Sequence, residues 1–199
     1  PGVLEAFRLI GSEQIQGRAS LGGNICNGSP AGDSVPALIA AGCLALIAGP
    51  NGKREIPIEE FHIGPGKTVL DNGEMLVSLK FPKREINSSD TYLRMTPRTE
   101  MDIAVVGCGV NITFENNVCT AARVSLGAVA PTPLLIKEAS KIMVGSDLNS
   151  EILDKVSKIC MDLCDPIDDK RGTIDYRTKV AGVLFKRATL TTIDRIKGN

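Results

Sequence analysis

The residues that most constrain this chain lie at positions 17–36, in the run GRASLGGNICNGSPAGDSVP. Glycine loses conformational entropy in helices and strands, and small polar side chains bond to nearby backbone instead. We therefore predict a loop without regular structure, in which bare backbone amides converge on an anion such as phosphate. Asp33 is the candidate N-cap of an apolar helix that begins near Val35.

Two features keep a simpler interpretation of this run open. Glycine- and asparagine-rich runs are most often plain turns. The run also lacks the G-x-x-x-x-G-K-[ST] order of a nucleoside-triphosphate loop and the strand–GxGxxG–helix order of a dinucleotide fold. A phosphate bound here would be held mainly by backbone dipoles.

Residues 19–36, ASLGGNICNGSPAGDSVP, closely resemble the second flavin-binding signature of the FAD subunits of molybdenum hydroxylases. That family includes the medium subunit of carbon monoxide dehydrogenase and the flavin domain of xanthine dehydrogenase. A similar segment precedes the signature at residues 4–15, and others follow it in the family's order at residues 74–82, 94–106 and 175–188. The resemblance therefore covers nearly the whole chain.

The resemblance implies an α+β fold with two parts. Residues 1–85 would form the second lobe of a two-lobed FAD-binding domain of the vanillyl-alcohol-oxidase (PCMH-like) type. Residues 86–199 would form a C-terminal α+β domain, similar to that of the carbon monoxide dehydrogenase flavoprotein, with an antiparallel sheet plus helices. Family members carry a first lobe upstream with another glycine-rich flavin motif, and we expect this chain to lack that lobe.

Hydrophobic periodicity and turn residues predict the elements independently of the resemblance. Strands followed by helices are typical of an α+β domain. The predicted helices span residues 1–15, 35–41, 134–143, 150–165 and 176–196. The predicted strands span residues 42–48, 53–58, 75–81, 91–97, 102–114 and 118–128, with a linker at residues 82–90.

The composition argues against several classes of partner and site. The chain has 23 basic and 23 acidic residues, so it lacks the positive charge that nucleic acid or an anionic membrane requires. No apolar run approaches the ~20 residues of a membrane span. The six cysteines form no C-x-x-C pair, so we expect buried free thiols in a reducing cytoplasm. Cys26 lies inside the glycine run, and even there we expect a small side chain that faces the protein rather than a redox thiol.

The resemblance also implies which residues hold FAD. The cofactor-binding set is Ile10, Ser20, Leu21, Gly22, Gly23, Asn24, Asp33, Leu76 and Arg94. The pyrophosphate of FAD fits the turn at residues 20–24. The Asp33 carboxylate would repel a phosphate and is better suited to accept hydrogen bonds from cofactor hydroxyls. The alternative role of Asp33 is to cap the next helix. Ile10 and Leu76 align with positions that pack against the cofactor, although both also suit a core. Arg94 stands where xanthine dehydrogenase-like members often carry a lysine near the flavin.

We predict no catalytic residue and no metal ligand, because no nucleophile–base pair, acid–base dyad or metal set is evident. His62 is expected to be a partly exposed packing residue. Arg98, Glu100 and Asp102 are expected to tie the two domains together.

The resemblance implies an electron-transfer subunit that carries FAD. Its partners would be a large subunit with the molybdenum cofactor and a small subunit with 2Fe-2S clusters, in a dimer of heterotrimers. The alternatives are a scaffold that only docks partner subunits, and a different flavin reductase of the same cofactor fold.

Overall fold

The computed structural model describes residues 1–99 and 101–198 and confirms the α+β class. The helices are α1 (Gly2–Arg8), α2 (Glu13–Gln16), α3 (Leu21–Cys26), α4 (Ser34–Ala40), α5 (Lys137–Met143), α6 (Ser150–Asp162) and α7 (Ile174–Lys197). The strands are β1 (Leu44–Gly49), β2 (Gly52–Pro57), β3 (His62–Gly64), β4 (Lys67–Thr68), β5 (Met75–Lys80), β6 (Ser88–Met95), β7 (Val106–Glu115), β8 (Val118–Gly127) and β9 (Leu134–Leu135). A single 3₁₀ turn covers Ile58–Glu60 among these residues. No helix in the described part of the chain is long and apolar enough to cross a membrane.

The first sheet, in the order β2-β1-β5, is antiparallel and packs against α3 and α4. Ala45 and Ile47 alternate with less buried residues along β1, as a strand with one buried face requires. Their core neighbours include Ile25 from α3 and Leu38 from α4. The predicted hairpin between β1 and β2 is confirmed, and its turn uses the positive φ of Gly52.

The second sheet has the order β6-β7-β8-β9 and is also antiparallel. Asn116 and Asn117 join β7 to β8 with φ values of 50° and 64°, which confirms the predicted turn. On one face of β7, Val110 and Ile112 enter the large core beneath α5, α6 and α7.

The other face of the second sheet holds α4, which belongs to the N-terminal part of the sequence. All seven residues of α4 are buried. A Cβ added at Gly109 would lie 2.6 Å from the Pro36 carbonyl oxygen, and a Cβ added at Gly127 would lie 2.5 Å from Pro36 Cγ. The Ser125 hydroxyl donates to the same carbonyl at 2.5 Å. Glycines on β7 and β8 thus let the helix backbone approach the sheet closely.

The prediction that the glycine run has no regular structure is wrong for residues 21–26, which form α3. The Ser20 hydroxyl caps this helix by accepting from the Gly23 amide at 3.0 Å. Ile25 is fully buried and anchors the helix in the first core. Capping and burial therefore offset the poor helix propensity of Gly22 and Gly23.

Other boundaries also differ from prediction. The first predicted helix is divided into α1 and α2, with Gly11 between them at a φ of 60°. Strand β6 begins three residues earlier than predicted, at Ser88 rather than at position 91. Asp102 pairs with Arg98 at 3.2 Å and with Arg171 at 3.1 Å, both in the C-terminal part, so these pairs do not tie the two parts together. Glu100 lies outside the described residues.

Candidate functional site

A cleft of about 290 Å³ lies between α1 and the start of α3. Three predicted site residues, Ile10, Ser20 and Leu21, line it. The other lining residues are Leu4, Phe7, Arg8, Gln16 and Ala19. The cleft therefore combines apolar walls with a cationic side chain and a helix start.

The loop between α1 and α2 is held closed by one side chain. Gln16 Nε2 donates to the carbonyl oxygens of Arg8 at 2.9 Å and Ile10 at 3.0 Å. Both carbonyl oxygens belong to residues of the cleft wall, so this amide fixes the position of Ile10 opposite α3.

The start of α3 presents free backbone to the cleft. Among the described residues, the amides of Leu21 and Gly22 have no hydrogen-bond acceptor, whereas the amide of Gly23 is taken by Ser20. A Cβ added at Gly22 would meet no atom within 4 Å. Two unpaired N–H groups next to an open position suit an anionic oxygen.

Asn24 links this helix start to the beginning of α4. Its Oδ1 accepts a hydrogen bond of 2.6 Å from the Ser34 hydroxyl, which is itself fully buried. Since Asp33 directly precedes Ser34, this hydrogen bond holds the start of α3 close to the predicted site residue Asp33.

Asp33 makes a buried ion pair instead of capping α4. It occupies the N-cap position, but its side chain makes no cap hydrogen bond, so the capping prediction is wrong. Its Oδ2 accepts from Arg94 Nη1 at 2.7 Å and its Oδ1 from the Tyr92 hydroxyl at 2.8 Å. Both donors lie on β6 and outcompete the helix amides. Burial raises the pKa of Asp33, while Arg94 and Tyr92 act to lower it.

Leu76 lies on β5, the strand that α3 contacts. It is half-buried and packs, as Leu21 does, against the core of the first sheet. The structure thus brings Ile10, Ser20 and Leu21 together at the cleft, with Gly22 and Gly23 next to them on α3. It pairs Asp33 with Arg94 away from the cleft lining.

His62 is more buried than predicted, being only 6% exposed. Its Nε2 lies 2.7 Å from the Ile25 carbonyl oxygen, at the end of α3. Burial lowers the pKa of His62, so it is a neutral donor that anchors α3. In the described part of the chain, no group of three His, Cys, Asp or Glu side chains is arranged to hold a metal ion.

Sequence reasoning missed Phe7, Arg8 and Tyr92. Tyr92 is two residues before Arg94 on a strand, so both side chains leave the same face. That alternation is a signal from which Tyr92 was predictable. The cleft position of Phe7 and Arg8 has no such signal, because it depends on how α1 packs against β6 and α4.

Two family models match the chain. The model described as the FAD binding domain in molybdopterin dehydrogenase matches residues 1–84. The model described as the CO dehydrogenase flavoprotein C-terminal domain matches residues 91–192.

Individual proteins resemble the chain over most of its length. The carbon monoxide dehydrogenase medium chain of Hydrogenophaga pseudoflava is 31% identical over 94% of this chain. The putative xanthine dehydrogenase FAD-binding subunit of Escherichia coli K12 is 29% identical over 94% of this chain. This chain spans 65% and 64% of the length of those two proteins.

Solved structures give the same result. A carbon monoxide dehydrogenase from Hydrogenophaga pseudoflava, which lacks the Mo-pyranopterin moiety of the molybdenum cofactor, matches with a TM-score of 0.94 at 30% identity. The match covers 98% of this chain and 68% of that one. A reconstituted CO dehydrogenase from Oligotropha carboxidovorans matches with a TM-score of 0.90 at 31% identity, covering 94% and 65% of the two chains.

Proposed function

The chain belongs to the family of FAD-binding subunits of molybdenum hydroxylases, and on this basis we propose that it holds FAD and passes electrons from iron–sulfur clusters to an acceptor. The observation that carries the proposal is the open start of α3. Two unpaired amides lie beside Gly22, where an added Cβ would enter open space. The missing side chain at Gly22 would let an anionic group approach these amides closely.

Different residues of the site would contact different parts of the cofactor. The amides of Leu21 and Gly22, with the Ser20 hydroxyl, would hold the pyrophosphate. Ile10 and Leu76 would pack against an apolar ring of the cofactor. The cleft of about 290 Å³ is at the lower end of ligand pockets, so it would admit one part of FAD and not the whole.

Asp33 and Arg94 would serve the flavin side of the site. Each Asp33 oxygen already accepts one hydrogen bond and retains capacity for a second, which suits cofactor hydroxyls. Arg94 remains a cation near that position, although its pairing with Asp33 reduces the field it exerts. When bound, FAD supplies the redox chemistry, and this chain's residues bind and orient it.

The wider arrangement is also a proposal. Two relatives are named as carbon monoxide dehydrogenase medium chains, and one solved relative is described as a carbon monoxide dehydrogenase that lacks the Mo-pyranopterin moiety of its molybdenum cofactor. We propose that this chain assembles with a molybdenum-cofactor large subunit and a 2Fe-2S small subunit, as a dimer of heterotrimers, in the cytoplasm. We further propose that the FAD-binding domain spans residues 1–85 and the C-terminal domain residues 86–199.

The test measures the flavin content of the full-length protein and identifies the subunits that copurify with it. The protein is purified from its natural source, and released flavin is identified by chromatography and metals by elemental analysis. We expect one FAD per chain, together with molybdenum and iron in copurifying subunits. FAD without those subunits would favour a separate flavin reductase, and subunits without FAD would favour a scaffold.

A further inference from the structure

We propose that Tyr92 is a positioning residue, which fixes the plane of the Asp33 carboxylate for the cofactor without touching the cofactor itself. The inference rests on the proposed FAD function and deepens it. Arg94 holds one carboxylate oxygen at 2.7 Å, and the Tyr92 hydroxyl holds the other at 2.8 Å. A carboxylate held through one oxygen still turns about its Cβ–Cγ bond, whereas two donors on separate oxygens fix its plane.

The Tyr92 hydroxyl serves Asp33 specifically. The residue is 2% exposed, and Asp33 is the acceptor of its hydroxyl proton. On the neighbouring strand, a Cβ at Gly107 would lie 2.5 Å from the phenol oxygen, so the glycine makes room for that oxygen. The Tyr92 amide donates to Glu5 Oε2 at 2.9 Å, which holds the backbone in place as well.

The hydrogen bonds of Asp33 with Tyr92 and Arg94 connect the N-terminal and C-terminal parts of the sequence. Tyr92 and Arg94 are on β6, whereas Asp33 belongs to the glycine run that ends at α4. The orientation of the proposed cofactor-facing carboxylate is therefore set by the second sheet rather than by the glycine run itself.

The hydroxyl also affects the charge of the carboxylate. Tyr92 and Arg94 both lower the pKa of Asp33 against the effect of burial. From the neighbouring elements, Glu5 on α1 accepts from the Tyr92 amide and pairs with Arg195, whereas Cys108 on β7 belongs to the core on the opposite face of the sheet. Loss of the hydroxyl raises the pKa of Asp33, so a loss of FAD affinity in acid would begin at a higher pH.

The test is a double-mutant cycle on the affinity for FAD, with the full polypeptide and FAD itself as the probe. The four proteins are the parent, Tyr92→Phe, Asp33→Asn and the double variant. Affinity is measured by quenching of flavin fluorescence from pH 5 to pH 8, and the Tm of each FAD-free protein is recorded. Tyr92→Phe should raise the Kd for FAD by roughly five- to tenfold, which converts to about 1–1.4 kcal/mol and lies within the range of one ordinary hydrogen bond. In the Asp33→Asn background the same change should have less than about a twofold effect, because Tyr92 acts through Asp33.

Thr91→Val is the matched control. Thr91 is the adjacent residue and is 1% exposed, and its hydroxyl accepts from Thr192 at 2.9 Å and from Arg195 at 3.0 Å, both on α7. This control should lower Tm while leaving the Kd for FAD unchanged. An unchanged Kd in Tyr92→Phe, or an equal effect in both backgrounds, would overturn the inference while FAD binding stands. A parent that does not bind FAD would overturn the proposed function and this inference together.

Discussion

Gly22 and Gly23 are adjacent in the sequence, but an added side chain would meet different surroundings at the two positions. At Gly23 a Cβ would lie 3.0 Å from the Ser20 hydroxyl that caps α3, so substitution there disturbs the helix itself. At Gly22 it would enter open space. Gly22 is therefore the position at which ligand approach and helix stability separate.

We predict that Gly22→Ala weakens FAD binding at least tenfold without destabilising the protein. The methyl group would occupy the space beside the free amides, and alanine is the better helix former by about 0.5–1 kcal/mol. FAD titration and thermal unfolding of the same preparation check both parts. Gly17→Ala is the matched control, because its Cβ would make only ordinary contacts of 3.6 and 3.7 Å in the same run. Equal FAD affinity of the Gly22→Ala and Gly17→Ala variants would show that Gly22 does not contact the cofactor.

The cysteines give a second prediction at this scale. Cys26 is exposed, Cys164 is partly buried, and the other four are buried. Burial raises the pKa of Cys43 and Cys160 to about 12 and that of Cys119 and Cys164 to about 11. Because the thiolate is the reactive form, these thiols are protected twice, by burial and by protonation.

Burial raises the pKa of Cys26 too, but its side chain is exposed, so we expect Cys26 to react with iodoacetamide at pH 8 ahead of every other cysteine of the folded protein. All six cysteines should react after denaturation. Mass spectrometry of peptides identifies the modified residue, and Cys26→Ser should abolish the fast phase. Fast modification at any second cysteine would contradict the burial described above.

At the level of elements, the sequence predicts best where local chemistry decides. The Asn116–Asn117 turn and the Gly52 hairpin were predictable because their residues tolerate positive φ. Helix α3 was not, since its stability depends on a core contact of Ile25. The ion pair of Asp33 was not predictable either, because Arg94 is distant in sequence and reaches Asp33 only through tertiary packing.

The first sheet contains an ion pair with a clear dependence on pH. Arg54 on β2 binds both oxygens of Glu74, which precedes β5, at 2.9 and 2.7 Å. These hydrogen bonds, with one from the Asp71 amide, lower the pKa of Glu74 from its ordinary value near 4.5 to about 2. A carboxylate with a depressed pKa stabilises the fold above its unfolded pKa, and this contribution is lost as the pH falls towards 2.

We therefore predict that Glu74→Gln lowers Tm at pH 7 and that its difference from the parent disappears between about pH 4.5 and pH 2. Thermal unfolding across that range makes the comparison. Glu55→Gln is the control, since the exposed pair of Glu55 with Lys80 at 3.3 Å should contribute little at any pH. A Glu74→Gln deficit that persists at pH 2 would refute this account.

For the whole molecule, the important fact is that the two sheets share α4. The helix supplies Leu38 and Ile39 to the first core and Pro36 to the glycine face of the second sheet. Arg123 on β8 adds a hydrogen bond to the Ile39 carbonyl at 2.9 Å and an ion pair with Glu59 at 2.9 Å. Arg195 on α7 also pairs with Glu5 on α1. We infer that the two parts unfold together, although each is a separate continuous segment of the sequence.

The last prediction tests that coupling through Gly109. A methyl group at this position would lie 2.6 Å from the Pro36 carbonyl oxygen and force α4 away from the second sheet. Gly109→Ala should cost about 1–3 kcal/mol, the usual range for overpacking. Because α4 also belongs to the first core, hydrogen exchange should accelerate at Ile47 in β1 as well as at Val124 in β8. Ala121→Val, at an exposed position of β8, should change stability by no more than about 0.5 kcal/mol. If Gly109→Ala accelerates exchange in β8 while Ile47 keeps its protection, the two sheets are independent and α4 does not couple them.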